Sequence, residues 1–295
     1  DGLSHSAVYC ILQDRYGFLW VGTAQGLNQY DGHRFKVYKH DPQDPATLRS
    51  NTIYSLHEDR SGRLWIGTQK GGLNELDRSN ESFRHYRHQQ EDPHSLSSDE
   101  VWWISESPHQ DGILWIGTIN GGLNRFDRNS GRFTHYRNDP QQPNSLGSNI
   151  VRTVYHSPDQ PNVVWVGTTR GGLNKLMLPD GVDTSMTIAD GRTLQVERFL
   201  HKPEDPNSLS NNSVWWIHES LVEPGVLWIA TYGGGLNRFD PLSGKFDRFL
   251  HRTDNPSSIS SNLVKQIFES SPQPGVLWIA TINGGLNRLQ IGKQH

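Results

Sequence analysis

Histidine and acidic side chains are the groups in this sequence that could do acid–base or metal chemistry. The chain has 14 His and 31 Asp and Glu residues among 295. Four glutamates recur at one position, the end of a predicted inner strand: Glu58, Glu106, Glu219 and Glu269. Such recurrence favours a structural role, although a glycosidase carboxylate pair is defined by its spatial separation and stays open at this point. No serine stands in the strained strand-to-helix turn that activates a nucleophile.

The histidines do not form a pattern that holds a metal, which needs three or four converging ligands. They lie on or beside predicted outer strands, where equivalent residues of different repeats are far apart: His85, His88, His135, His201 and His251. We therefore predict no catalytic residue, no metal site and no cofactor, and expect a protein that is not an enzyme.

Aromatic and cationic side chains at two repeated positions could recognise a sugar. The first is the inner-strand residue after a Val or Ile, and it reads Tyr9, Tyr54, Trp102, Arg152, Trp215 and Lys265. The second precedes a Gly pair and reads Lys70, Asn120, Arg170, Gly233 and Asn283, with Tyr232 one residue earlier. Rings stack on sugar faces while Arg, Lys and Asn donate hydrogen bonds. We predict ligand contacts at these positions, Tyr9 and Gly233 excepted; alternatively, one Trp of each Trp-Trp pair packs in the core.

The elements that position these residues are repeats of about 50 residues. Leu/Val-Trp-(Ile/Val) segments recur with spacings of 45, 50, 50, 63 and 50 residues, at Trp20, Trp65, Trp115, Trp165, Trp228 and Trp278. A fixed period of this size indicates a solenoid or propeller. The third unit reads as four strands, Val101 to Glu106, Ile113 to Thr118, Gly122 to Asp127 and Arg132 to Arg137. Because Asn and Gly turns separate them, each unit is expected to be one antiparallel blade.

The sequence predicts an all-β fold, one β-propeller domain over residues 1–295. Its six blades cover approximately 3–47, 48–95, 96–145, 146–208, 209–258 and 259–295. The last blade ends at Gly285 to Gln290 without a fourth strand, so part of a seven-bladed propeller is the alternative. The extra residues around Leu178 to Thr193 predict a surface hairpin or loop. The blade-to-blade links and the loops between strands two and three should share one face, where departures from the repeat indicate function.

The segments Leu64-Trp65-Ile66-Gly67-Thr68 and Gly71-Gly72-Leu73-Asn74 resemble two-component regulator propeller repeats. The resemblance covers the whole chain. It implies a periplasmic or extracellular sensor region of a bacterial hybrid histidine kinase or diguanylate cyclase, which binds a ligand that is often an oligosaccharide. The resemblance also allows the chain to form a homodimer through the parent receptor. The segment Asp59 to Trp65 also resembles the Asp-box hairpin of sialidases, which implies turn stabilisation and no hydrolysis.

Composition limits the partners. A net charge of −3 gives no electrostatic reason to bind nucleic acid, and the longest apolar runs are strand length, so no membrane segment is expected within the chain. The leading expectation is a non-enzymatic propeller that binds a small polar ligand. Its rivals are a propeller enzyme resembling streptogramin lyases and a protein-interaction or dimerisation platform.

Overall fold

The computed structural model describes residues 2–178 and 195–292. Within these ranges the chain forms 23 β-strands and no α-helix. The strands make five sheets of four strands and one sheet of three. This confirms the predicted six-bladed β-propeller and its three-stranded last blade. Apart from Leu178, the loop predicted around residues 178–193 lies outside the described residues.

Each sheet is built from strands that follow one another along the chain. The first blade contains β1 (Val8–Gln13), β2 (Leu19–Thr23), β3 (Gly26–Tyr30) and β4 (Phe35–Tyr38). The second contains β5 (Ile53–Glu58), β6 (Leu64–Thr68), β7 (Leu73–Asp77) and β8 (Ser82–Tyr86). The third contains β9 (Val101–Glu106), β10 (Ile113–Thr118), β11 (Leu123–Asp127) and β12 (Arg132–Tyr136). The predicted strands of this third unit are therefore correct to within one residue.

The other three blades repeat the same order. The fourth contains β13 (Val151–His156), β14 (Val163–Thr168), β15 (Leu173–Met177) and β16 (Gln195–Phe199). The fifth contains β17 (Val214–Glu219), β18 (Leu227–Thr231), β19 (Leu236–Asp240) and β20 (Lys245–Phe249). The sixth contains only β21 (Val264–Glu269), β22 (Val276–Thr281) and β23 (Gly285–Gln290).

The chain divides into two compact units. Unit one consists of Asp1–Arg137 with Asn149–Val151, and unit two consists of Asn138–Ser148 with Arg152–His295. Unit one holds the first three blades, and unit two holds the last two and nearly all of the fourth. Each unit is described below by itself.

Successive blades within a unit pack through one repeated apolar cluster. In unit one, buried Trp65 and Leu73 of the second blade pack against Ile104 and Phe133 of the third, with Leu96 of the link between them. Unit two repeats this cluster between the fourth and fifth blades. Because each blade buries its face on the next, the same large apolar residues must recur in every repeat. The tryptophan column is thus explained by packing.

Two members of the predicted apolar columns are exceptions. Trp20, Trp65, Trp115, Trp165 and Trp228 are at most 2% exposed, but Trp278 of the last blade is only partly buried. In the inner-strand column Ile104 is buried, whereas Ile11 is 63% exposed. The recurrence of Ile, Leu or Val at this inner-strand position predicts a packed side chain in every blade, and for Ile11 that prediction is wrong. Inner-strand residues are covered by the blade before them, and within unit one no blade precedes the first.

The recurring glutamates tie neighbouring blades together. Glu58 accepts hydrogen bonds from the backbone N–H of Arg15 and from Arg78, at 2.9 and 3.1 Å. In unit two Glu269 likewise accepts the backbone N–H of Leu221, which belongs to the preceding blade. These contacts confirm the structural interpretation of the glutamates.

The Asp-box-like hairpin is closed by one buried carboxylate. Asp59 Oδ1 accepts hydrogen bonds from Ser61 Oγ and the backbone N–H of Arg63, at 2.6 and 3.0 Å. Its Oδ2 accepts from Trp65 Nε1 at 2.8 Å and from Arg128. Burial raises the pKa of this carboxyl, but the hydrogen bonds and the Arg128 charge outweigh it, so the pKa lies below its ordinary value. The carboxylate is a structural group, as the resemblance implied.

The blade-to-blade links are held by histidines and by the Asn or Asp before each inner strand. His88 Nδ1 lies 2.8 Å from the carbonyl of Leu96, and His201 makes the same contact with Leu209. Asp99 accepts the backbone N–H of His88, eleven residues earlier. The recurrence of Asn or Asp before the inner strands predicts a cap at the start of each blade; for Asp99 that prediction is wrong, because its side chain accepts from the beginning of the link. The start of the inner strand is capped by the preceding residue, as where Ser98 accepts the N–H of Glu100 at 3.3 Å.

His57 predicts how stability depends on pH. The backbone N–H of Glu106 donates to His57 Nε2 at 3.1 Å, so this nitrogen must be unprotonated. Burial lowers the pKa of His57 below its ordinary value of 6.5. Between the two pKa values the unfolded chain binds more protons, so stability falls as the pH drops below about 6.5. We expect the urea midpoint to be lower at pH 5.5 than at pH 7.5. The urea midpoint of the variant His57→Gln should fall less than that of the wild type between pH 7.5 and pH 5.5. An equal fall in the two proteins would contradict the conclusion that His57 causes the pH dependence.

Candidate functional site

The first set of predicted ligand residues occupies a β-bulge that recurs from blade to blade. In the second blade Ile53 pairs with Thr68 and Ser55 pairs with Gly67, which leaves Tyr54 outside the ladder. The same register shift leaves out Tyr9, Trp102, Trp215 and Lys265 in their blades. A bulge bends the strand locally and redirects the unpaired side chain. The backbone of this position is therefore part of the repeat, while its side chain is free to vary.

In unit one, the bulge residues form a continuous row of three aromatic rings. The centroids of Tyr9 and Tyr54 are 5.3 Å apart with the rings edge to face, and those of Tyr54 and Trp102 are 4.8 Å apart. Tyr9 is 42% exposed, and Tyr54 and Trp102 are half-buried. Such a row offers solvent a partly exposed aromatic surface.

In unit two, the corresponding residues combine aromatic rings with cations. The rings of Trp215 and Tyr232 are stacked, with centroids 4.6 Å apart and an interplanar angle of 17°. The guanidinium carbon of Arg152 lies 5.3 Å from the centroid of the Trp215 ring, within the range of a cation–π contact. Arg152 Nε also donates to Thr169 Oγ1 at 2.9 Å, which holds the guanidinium in place. Tyr232 is 45% exposed, and Lys265 is exposed.

The second set of predicted residues lies at the same end of each blade as the bulge. The loop between the second and third strands of a blade is hydrogen-bonded to the residue before its inner strand. The N–H of Gln69 donates to Thr52, that of Ile119 to Glu100, and that of Ile282 to Leu263, all at 2.8–3.0 Å. Lys70, Asn120 and Asn283 directly follow the three donors and are exposed. In these three blades the two sets therefore lie at the same end, as expected.

Arg170 has an unusual backbone. Its φ of 65° lies in the left-handed region, as do those of Asn120 and Asn283 at the equivalent position. Asn adopts this conformation readily, but for a long side chain it is uncommon and costs about 1–2 kcal/mol. The N–H of Arg170 donates to Ser213 Oγ at 3.3 Å. The loop that carries exposed Arg170 is thus bonded to the segment that leads into Trp215, and its backbone has an energetic cost of the kind found at functional positions.

The two tryptophans of the fifth blade divide between site and core, as the alternative interpretation expected. Trp216 packs against the buried cluster formed by the fifth and sixth blades. Trp215 takes part in the stack with Tyr232. The two adjacent residues have different environments because the ladder skips Trp215 and resumes at Trp216.

The geometry equips these surfaces for binding. The stacked rings and the cations supply flat apolar area and hydrogen-bond donors.

Among residues 2–178 and 195–292, no group of three or more His, Cys, Asp or Glu is arranged to hold a metal. In the same ranges no helix is long and apolar enough to cross a membrane.

Comparisons with known proteins agree with the sequence resemblance. Residues 2–25 and 47–70 match the model of the two-component regulator propeller family. Over 48 residues the chain is 54% identical to histidine kinase P4 of Formosa agariphila, which is 16% of this chain and 4% of the kinase. The resemblance is confirmed for these two segments, which match two-component regulator propeller repeats.

Two solved structures with this fold are extracellular domains of bacterial proteins. The extracellular domain of BT3049 from B. thetaiotaomicron, described as a hybrid two-component system, is 28% identical, with a TM-score of 0.71. That match covers 98% of this chain and 40% of the BT3049 domain. The extracellular domain of BT4673 from the same organism also has a TM-score of 0.71 at 22% identity, which shows the shared fold, and the chain spans 36% of it. The present chain is thus similar in fold to part of these extracellular domains and spans less than half of their length.

Proposed function

We propose that this propeller is a non-enzymatic, ligand-sensing module of a bacterial signalling receptor, located in the periplasm or outside the cell. In this proposal it binds a small polar ligand of the saccharide class. The single observation that carries the proposal is the cluster of Arg152, Trp215 and Tyr232 in unit two. The backbone at Trp215 is the bulge found in other blades, but the side chains of the cluster differ from those at the equivalent positions of the other blades. The similarity to extracellular domains of two-component systems supports the location.

The chemistry of the cluster favours a sugar that bears acidic groups. Tyr232 presents ring surface to solvent and suits the apolar face of a sugar ring. Arg152, Arg170 and Lys265 are cations at this end of their blades, and guanidinium groups bind carboxylates through charge-assisted hydrogen bonds. An acidic oligosaccharide satisfies both the rings and the cations.

A thermal-shift screen against neutral and acidic oligosaccharides tests this function. A ligand that binds only the folded protein stabilises it by about 2.7 kcal/mol at a hundred times its dissociation constant. We expect one acidic sugar class to raise the melting temperature, and the sugar to be recovered unchanged after incubation. Turnover of the sugar would support the alternative that the protein is an enzyme. If no sugar changes the melting temperature and the protein instead binds another protein, the interaction platform is supported.

A further inference from the structure

One link position of the second blade departs from the repeat. In each blade the residue four places before the inner strand donates its backbone N–H to the asparagine of the third strand, at 2.8–3.4 Å. Along the chain this position reads Ser4, Arg49, Ser97, Gly147, Ser210 and Ser260. The backbone contact is therefore common to the blades, whereas Arg49 is a cation at a position that elsewhere carries a serine or a glycine.

The serine at this position is a structural residue. Ser97 Oγ accepts a hydrogen bond from Asn124 Nδ2 at 2.7 Å, and Ser210 Oγ makes the same contact in unit two at 2.8 Å. Arg49 has no hydroxyl group, and Asn74 Nδ2 instead contacts backbone carbonyls at 3.3–3.5 Å. The second blade thus lacks a hydrogen bond of the repeat and has a cation in its place. Such local departures from a regular structure are typical of functional positions.

Arg49 lies against the loop that carries Lys70. A Cβ atom on Gly71 would be 2.8 Å from Arg49 Cβ, so the link and the loop are in direct contact and only glycine fits between them. Lys70 immediately precedes Gly71 and is exposed, and Arg49 is partly exposed. The two cationic side chains therefore start from adjacent backbone segments, at the end of the blade where the bulge lies.

The charge at this place is positive. Arg87, which directly follows β8, is paired with Asp99, and its Nε donates to that carboxylate at 3.1 Å. Among the described residues no carboxylate, that of Glu100 included, lies within 4.0 Å of the Arg49 or Lys70 cation. Two positive charges at this end of unit one therefore have no close counter-charge from the described part of the chain.

His85 lies in the same positive potential. Its Nδ1 is 2.8 Å from Asn74 Oδ1, the atom that also accepts the N–H of Arg49. Burial lowers the pKa of His85; the hydrogen bond to Pro45 opposes this, and the charges of Arg49 and Arg87 lower the pKa further. An anion bound at this place would offset those charges.

We propose that Arg49 and Lys70 form an anion-binding site in unit one that takes a phosphate group. At pH 7 a phosphate monoester carries about 1.5–2 negative charges, which suits two cations, whereas a carboxylate carries one. Arginine binds phosphate through parallel hydrogen bonds, and lysine binds it as a point charge. The site shares no residue with the cluster of Arg152, Trp215 and Tyr232, and it does not depend on the proposed saccharide function.

Titration calorimetry with inorganic phosphate at constant ionic strength tests the site. We expect the wild type to bind phosphate, and Arg49→Ser and Lys70→Ser each to raise the dissociation constant about tenfold or more, because each removes a charge-assisted contact. Arg132→Ser is the matched control. It removes one exposed positive charge at the opposite end of the third blade, where β12 begins, and should leave the dissociation constant unchanged.

Arg49→Ser has a second expected effect that distinguishes lost binding from lost folding. Serine is the residue of the repeat, so the variant should regain the hydroxyl contact with Asn74. Without phosphate it should melt about 2–4 °C above the wild type, the shift that one added hydrogen bond gives in a domain of this size. A lower melting temperature would overturn the proposal, because Arg49 would then support the fold.

The proposal would also be overturned if the wild type did not bind phosphate, if Arg49→Ser bound it with unchanged affinity, or if acetate competed equally well. A comparison of a hexose phosphate with inorganic phosphate identifies the source of the group. Tighter binding of the hexose phosphate would support the site and assign it to a phosphorylated sugar. Equal or weaker binding would support the site and assign it to free phosphate.

Discussion

Replacing Asp59 by Ala is expected to lower the free energy of unfolding by about 3–5 kcal/mol. The substitution removes the acceptor of Trp65 Nε1 and of Arg128, whose side chain is only 13% exposed. Removing one partner of a buried ion pair costs about this much, because the other charge stays buried. Glu106 accepts from Arg128 at 3.1 Å and compensates only in part. Urea denaturation followed by circular dichroism at pH 7.5 measures the change.

Asp77→Ala is the matched control for this prediction. Asp77 also accepts hydrogen bonds from a serine two residues later, but it is exposed and carries no buried partner. Its loss should cost no more than about 1.5 kcal/mol, the net contribution of an ordinary hydrogen bond. Equal losses in the free energy of unfolding for the two substitutions would contradict the prediction that the buried ion pair stabilises the fold more than an exposed hydrogen bond does.

Phe239→Ala is expected to destabilise unit two by about 3–5 kcal/mol, the usual cost of emptying a core site of this size. The side chain is fully buried and contacts the rings of Trp165, Phe199 and Phe246, with centroids 4.2–5.8 Å away. Phe268→Ala makes the same change at a residue that is 59% exposed, and should cost less than about 1 kcal/mol. A small effect of Phe239→Ala would mean that the site collapses around the cavity or that the blades do not pack as described.

The repeat made most of the fold predictable. Because Trp and Leu recur at fixed positions to fill nearly identical interfaces, their spacing alone defines the blades, and turns rich in Gly and Asn set the strand ends to within about one residue. Exposed Ile11 and half-buried Trp278 escaped prediction for the same reason, since a repeat specifies what its members share. Ile11 and Trp278 keep the residue type of their columns but are less buried than the other members.

The candidate site was predictable in composition but not in geometry. Comparing blades singled out Arg152, Trp215 and Tyr232, which the structure brings together. Strand alternation, however, places adjacent residues on opposite faces, and it missed the bulge that redirects Trp215. No residue type marks this bulge, because its backbone is the same whether it carries Tyr, Trp or Lys. The roles of Thr169 and Ser213, which position Arg152 and Arg170, likewise required the structure, since small hydroxyl residues are frequent in such loops.

The central claim is that ligand recognition depends on the side chain at the bulge of the fifth blade. Titration calorimetry with the saccharide that stabilises the protein most, on wild type, Trp215→Ala and Phe268→Ala, tests it directly. A central aromatic contact is worth about 2 kcal/mol or more, so Trp215→Ala should raise the dissociation constant by about 30-fold or more. Phe268→Ala, an exposed aromatic residue further along an inner strand, should leave it unchanged. An unchanged dissociation constant in a folded Trp215→Ala variant would contradict the account.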